Sequence, residues 1–124
     1  RNEDALREVA SEVRELGGQA HVVVTDVAEW EQMQNLASEA VARFGRIDTW
    51  INDAAIALYA TVEGTSVAEF ERVMDVNYMG QVHGIKAVLP IMLGQSIGVI
   101  SNCPLNSAAK LCASICAAAR AAPT

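Results

Sequence analysis

Three short apolar runs constrain this chain more than anything else in it. They are residues 20–25 (AHVVVT), 47–51 (IDTWI) and 96–101 (SIGVIS). Each is too short for a buried helix and rich enough in β-branched residues for a buried strand. Segments of helical period lie between them. Strands separated by helices in this way cannot form tight hairpins, so they pair in parallel, with the helices layered on the sheet. The expected fold class is therefore α/β, a doubly wound parallel sheet of Rossmann type with helices on both faces.

The helix signals agree with this order. Asn2 can cap a first helix, with Glu3 and Asp4 in its opening turn, and Leu6, Val9, Val13 and Leu16 form its apolar stripe. Gly17-Gly18 ends it. A second helix is expected from about Glu29 to Phe44, with Trp30, Met33, Ala37, Ala40, Val41 and Phe44 on one face and Gly45 as its stop. Ser66 begins a third, with Glu69 at the capping-box position. That helix is expected to reach Val88 or beyond, with Pro90 as a kink or an end. Asn106 or Ser107 opens an Ala-rich last helix to about Ala122. No repeat or linker divides the chain, so residues 1–124 read as one domain. With three strands where five or more are usual, and no Gly-x-Gly-x-x-Gly turn, that domain reads as incomplete.

Charge and composition exclude several functions. A net charge of −6 argues against nucleic acid or an anionic membrane as a partner. No apolar run approaches the ~18 residues of a membrane-spanning helix. The opening RNEDALREV has no apolar core of a signal peptide. Three cysteines, an odd number, fit a reducing cytosol and thus a cytoplasmic protein. Cys112 and Cys116 lie a helical turn apart, but His21 and His83 are distant in sequence, so no metal site is expected. Ser107 to Lys110 matches Ser-x-x-Lys, a pattern short enough to arise by chance.

Ligands of open α/β sheets bind beyond the carboxyl ends of the strands. Asp26, Asn52-Asp53 and Ser101-Asn102 fall at such ends, and the three are expected side by side on one edge. Taken singly, Asp26 could cap the next helix and Asn52-Asp53 could form an Asx turn. Ala54 and Ala55 follow, and residues this small at a strand end let something approach the backbone. Asn77 lies on a helix face with Phe70, Val73, Met74 and Gln81. If that face is buried, the amide needs a partner or costs about 1–3 kcal/mol. Gly80 and Gly84, one turn apart, suit close packing against another backbone, which would offset about 1 kcal/mol each of lost helix propensity.

These stretches in this order, TDV, RFGRIDTWINDAA, FERVMDVNYMG and GVISN, resemble the short-chain dehydrogenase/reductase family from Arg1 to about Asn102. The resemblance implies hydride transfer between NAD(P) and an alcohol or carbonyl substrate. Asn52-Asp53-Ala54-Ala55 looks like the family's Asn-Asn-Ala-Gly, with two departures, and would line the adenosine side of the cofactor. Asp26, followed by Val27, matches the aspartate beside the adenine. Asn77 matches the helix asparagine that supports the catalytic proton relay. Arg1 falls just past the family's second strand, where a basic residue meets the 2′-phosphate, which favours NADP over NAD. The family commonly pairs two helices across a dimer axis, so a homo-oligomer is expected. The catalytic Tyr-x-x-x-Lys is not in these residues: no Tyr follows Tyr78, no Lys follows Lys110, and neither Tyr59 nor Tyr78 has Lys four residues on. The rival reading is a catalytically dead binding or assembly module on the same fold.

Overall fold

The computed structural model describes residues 2–103. Helix α1 (Glu3–Glu15) starts where Asn2 Oδ1 accepts the Ala5 N–H, and it ends at Gly17, whose φ of 84° suits a residue without Cβ. Leu6, Val9 and Val13 of its stripe are half-buried and Ala10 is buried, while Leu16 falls beyond the last turn and is exposed. Helix α2 (Trp30–Phe44) ends at left-handed Gly45. Strand β1 (Thr49–Asn52) follows, beginning two residues later than the apolar run suggests.

Helix α3 (Val67–Met74) opens with the expected capping box: Ser66 Oγ accepts the Glu69 N–H, and the Glu69 carboxylate accepts the Ser66 N–H at 2.8 Å. A π-helical segment, Asp75–Met79, joins α3 to α4 (Gly80–Gln95). Pro90 neither ends α4 nor marks its last turn, since the helix runs on to Gln95 and stops at left-handed Ser96. Ser96, expected to open the last strand, is thus a helix cap, and strand β2 is Val99–Asn102. The Ala-rich helix expected after Asn106, together with Ser107, Lys110, Cys112 and Cys116, lies outside the described residues.

Strands β1 and β2 pair in parallel, with Trp50 opposite Ile100 and Asn52 opposite Asn102. Gln95 locks the start of this unit: its amide accepts the Ile47 N–H at 3.0 Å and donates to the Ile47 carbonyl at 2.7 Å. The core lies where α2 and α4 cover one face of β1. Met33, Ala37, Ile47, Trp50, Val88 and Met92 are buried there, against Leu36, Ala40, Val41, Ala87 and Ile91. Alternation along β1 leaves Trp50 2% exposed and Ile51, on the other face, 56% exposed.

Residues 20–25 depart from expectation. They make no ladder with β1 or β2, so the three expected strand ends are not three adjacent strands. The doubly wound order supplies the reason. By the resemblance this run is the third strand and β1 and β2 are the fourth and fifth. In that order the fourth and fifth are neighbours, whereas the second and first separate the third from the fourth. The run is instead held by side chains. Arg14 of α1 donates to the Ala20 carbonyl at 3.0 Å, and His21 pairs with Glu39 of α2 at 3.2 Å.

Candidate functional site

Two loop ends meet the long α3–α4 unit. The first is Asn52 and the residues after it. The Asn52 side chain, 8% exposed, lies in a network that satisfies all its polar atoms. Its Oδ1 accepts the Trp50 indole N–H at 2.8 Å, and its Nδ2 donates to Asn102 Oδ1 at 2.8 Å and to the Gln81 carbonyl at 3.5 Å. Gly84 makes room for this network: a Cβ there would collide with Asn52 Oδ1 and stand 2.8 Å from Trp50 Nε1. The two strands are also joined beyond their ends, where the Cys103 N–H donates to the Asn52 carbonyl at 2.9 Å.

Asp53, Ala54 and Ala55 follow, all half-buried. Burial pushes the Cys103 thiol above its ordinary pKa, and the charge of nearby Asp53 and a hydrogen bond to it push the same way. Cys103 is thus held as a neutral thiol, the weaker nucleophile. Asn77 reaches the same loop from the π-helical segment. Its Oδ1 accepts the Ile56 N–H at 2.8 Å and its Nδ2 donates to the Ile56 carbonyl at 2.9 Å. Both ends of one amide therefore hold one backbone residue. The face expected to be apolar around Asn77 is not a core face, because Phe70 and Met74 are exposed.

The second loop end is Asp26-Val27. Arg72 of α3 donates to both Asp26 carboxylate oxygens, and Asp26 Oδ1 also accepts the Ala28 N–H at 3.2 Å. A Cβ on Gly80 would stand 2.6 Å from Val27 Cγ2. His83 Nδ1 lies 3.0 Å from the Val27 carbonyl. A carbonyl only accepts, so Nδ1 carries the proton. The His83 ring also tilts against Trp30, its centroid 5.7 Å away, with Lys86 Nζ 5.7 Å from the same indole.

One helical unit therefore holds both ends. Asp26 and Val27 are tied through Arg72, Gly80 and His83, and Asn52 and Ile56 through Gln81, Gly84 and Asn77. Asp26 does not cap α2, whose N-cap is Glu29 without a side-chain hydrogen bond; Asp26 Oδ1 instead takes the Ala28 N–H in a local turn, and Arg72 adds a long-range tie. The Asn52 side chain forms no Asx turn and bonds Trp50, Gln81 and Asn102 instead. The two glycines serve close packing as expected, although the approaching groups are the side chains of Val27, Asn52 and Trp50. Both glycines are buried and face these side chains within the chain. Arg1 lies outside the described residues.

Arg72, His83 and Gln81 were not legible as site residues. Their signal was spacing: Arg72 and His83 are 11 residues apart, three helical turns, and so share a face with Gly80. Among the described residues there is no cluster of three or more His, Cys, Asp or Glu that could hold a metal ion, and no helix long and apolar enough to cross a membrane.

The family model described as short chain dehydrogenase matches residues 1–119. The uncharacterised oxidoreductase YxnA of Bacillus subtilis is 35% identical over 103 residues, covering 82% of this chain and 29% of YxnA. The 3beta-hydroxysteroid dehydrogenase 1 of Eggerthella lenta is 33% identical over 102 residues, covering 82% of this chain and 39% of that protein. Among solved structures, NAD+-bound xylitol dehydrogenase superposes with a TM-score of 0.77 at 34% identity, over 82% of this chain and 39% of that one. A gluconate 5-dehydrogenase from Burkholderia cenocepacia, in complex with NADP and tartrate, gives 0.74 at 32%, over 82% and 40%. The chain thus spans less than half the length of these relatives.

Proposed function

The chain belongs to the short-chain dehydrogenase family, and from that membership we propose that it forms the adenosine side of a nicotinamide cofactor site in an oxidoreductase acting on an alcohol or carbonyl substrate. The observation that carries this is the paired tethering just described, in which α3, the π-helical segment and α4 hold Asp26-Val27 and the Asn52–Ile56 loop in one frame.

The residues present suit that half of a dinucleotide. Asp26 offers a carboxylate acceptor for an amine, the Val27 main chain is fixed by His83, and Ala54 and Ala55 bring backbone within reach of a flat ligand. Asp53 is the next residue of the same lining. Asn77 supports a proton relay by keeping the Ile56 segment in place. Arg1 favours NADP over NAD, as a basic residue suited to a 2′-phosphate. When bound, the nicotinamide would supply the hydride chemistry. The same reading includes a homo-oligomer in the cytoplasm, supported by exposed Leu89 and Leu93 on α4.

The test uses protein expressed from its complete open reading frame. Nicotinamide absorbance is followed with a panel of ketones and secondary alcohols, and cofactor binding is measured by calorimetry. Cofactor binding weakened by Asp26→Asn, with turnover on some member of the panel, is expected. Absence of any nicotinamide dinucleotide binding would overturn the reading. The 124-residue polypeptide alone contains no Tyr-x-x-x-Lys and is expected to turn over more slowly than ~1 s⁻¹. Binding without turnover by the complete protein would favour the rival reading of a binding module.

A further inference from the structure

Asp26 is more constrained than a turn or a cap requires. Arg72 lies 46 residues further along the chain, in the last turn of α3, and its Nη2 spans both carboxylate oxygens, at 3.2 Å to Oδ1 and 2.9 Å to Oδ2. Oδ1 takes a further hydrogen bond from the Ala28 N–H. The Asp26 main chain is also engaged: its N–H donates to Gln32 Oε1 at 2.8 Å, and its carbonyl accepts the Glu29 N–H at 3.0 Å. The two charged side chains are partly sheltered, at 36% exposure for Arg72 and 20% for Asp26. Exposed ion pairs fluctuate and contribute little. Here the long side chain spans both oxygens of an acid whose backbone is already fixed, so the plane of the carboxylate is fixed too.

A purely structural tie is already present without Arg72. Val27, the next residue, is packed on Gly80 and held by His83. What Arg72 adds is direction. We propose that Arg72 is a positioning residue for adenine recognition, aiming the Asp26 carboxylate at the exocyclic amine of the base. This rests on the reading of Asp26 as an adenosine-side residue. Adenine presents an amine donor at that position, whereas hypoxanthine presents a carbonyl acceptor. A carboxylate held in the right plane therefore prefers adenine, and one left to rotate loses part of that preference.

The experiment measures affinity for NAD(P) and for the matching nicotinamide hypoxanthine dinucleotide by calorimetry, with the complete protein. Wild type should prefer the adenine form. Arg72→Met keeps the aliphatic stem and should lower that preference about tenfold, the scale of one hydrogen bond to a charged group, with little change for the hypoxanthine form. In an Asp26→Asn background the same change should leave the preference unaltered, because the residue acts through Asp26. Arg72→Lys retains the charge without the guanidinium geometry and should fall between wild type and Arg72→Met. It also serves as the second variant if Arg72→Met fails to fold. Equal weakening of both dinucleotides, or an unchanged preference in the variants, would overturn the proposal and leave the cofactor reading standing. Wild type that binds neither dinucleotide would overturn the cofactor reading, and this proposal with it.

Discussion

Gly84 shows how a single hydrogen atom sets the site. Its missing side chain is the space in which Trp50, Asn52 and Asn102 complete their hydrogen bonds. Alanine would raise helix propensity by about 1 kcal/mol, yet the new methyl would displace a buried amide. Gly84→Ala should therefore lower stability by about 1–3 kcal/mol net, read from urea unfolding, and a gain in stability would contradict the packing described. Asn77 offers a second check at this scale. Leucine keeps most of its volume and removes both bonds to Ile56. The Ile56 amide should then lose protection in hydrogen exchange while the Trp50 and Asn52 amides keep theirs. Neither partner was readable in advance, because Ile56 precedes Asn77 by 21 residues and no local periodicity links them.

At the scale of elements, the α3 start is the most local structure in the chain. Hydrogen bonds from the Ser66 backbone, and then from its hydroxyl, hold the Glu69 carboxyl below the ordinary glutamate range. A depressed folded-state pKa stabilises above the unfolded value and stops doing so as pH falls through the folded one. The capping box should thus be intact at neutral pH and open only as pH falls below the ordinary glutamate range. An NMR titration of Glu69 should show the depressed value and its return toward normal in Ser66→Ala. A Glu69 that titrates alike in both proteins would contradict the cap. This box was legible because it needs four consecutive residues. The π-helical segment was not: Asp75–Met79 continues the helical pattern of its neighbours, and only the ties to Ile56 and Val27 on either side show where a widened turn serves the packing.

At the scale of the molecule, the uneven treatment of three similar apolar runs has a measurable consequence. Amides of β1 and β2 lie in or beside a ladder, whereas those of residues 22–24 do not pair with either strand. In the 124-residue polypeptide, hydrogen exchange should be slow at Trp50–Asn52 and Ile100–Cys103 and markedly faster at Val22–Val24. Equal protection would mean that the 20–25 run pairs after all. Exposed apolar residues on α4, Leu89 and Leu93, together with Ile51 and Val99 on the sheet, also predict self-association of the 124-residue polypeptide. Light scattering of a clean monomer at high concentration would contradict that expectation.

Local chemistry is what the amino-acid sequence determined by itself. Caps at Asn2 and Ser66, stops at Gly17 and Gly45, the α2 stripe and the parallel class of sheet all depend on neighbours within a few residues or on period. The residue types at the candidate site were legible for the same reason, as polar and small residues placed at the ends of apolar runs. Tertiary structure alone decided which runs pair, because order in a sheet depends on which strand lies next in space. It also decided that Pro90 stays inside α4, where packing of Val88 and Met92 continues on both sides of it. The Asp26–Arg72 and Val27–His83 ties belong to the same class. Their partners are 46 and 56 residues apart, and only the packing of α3 and α4 against the Asp26-Val27 segment brings them together.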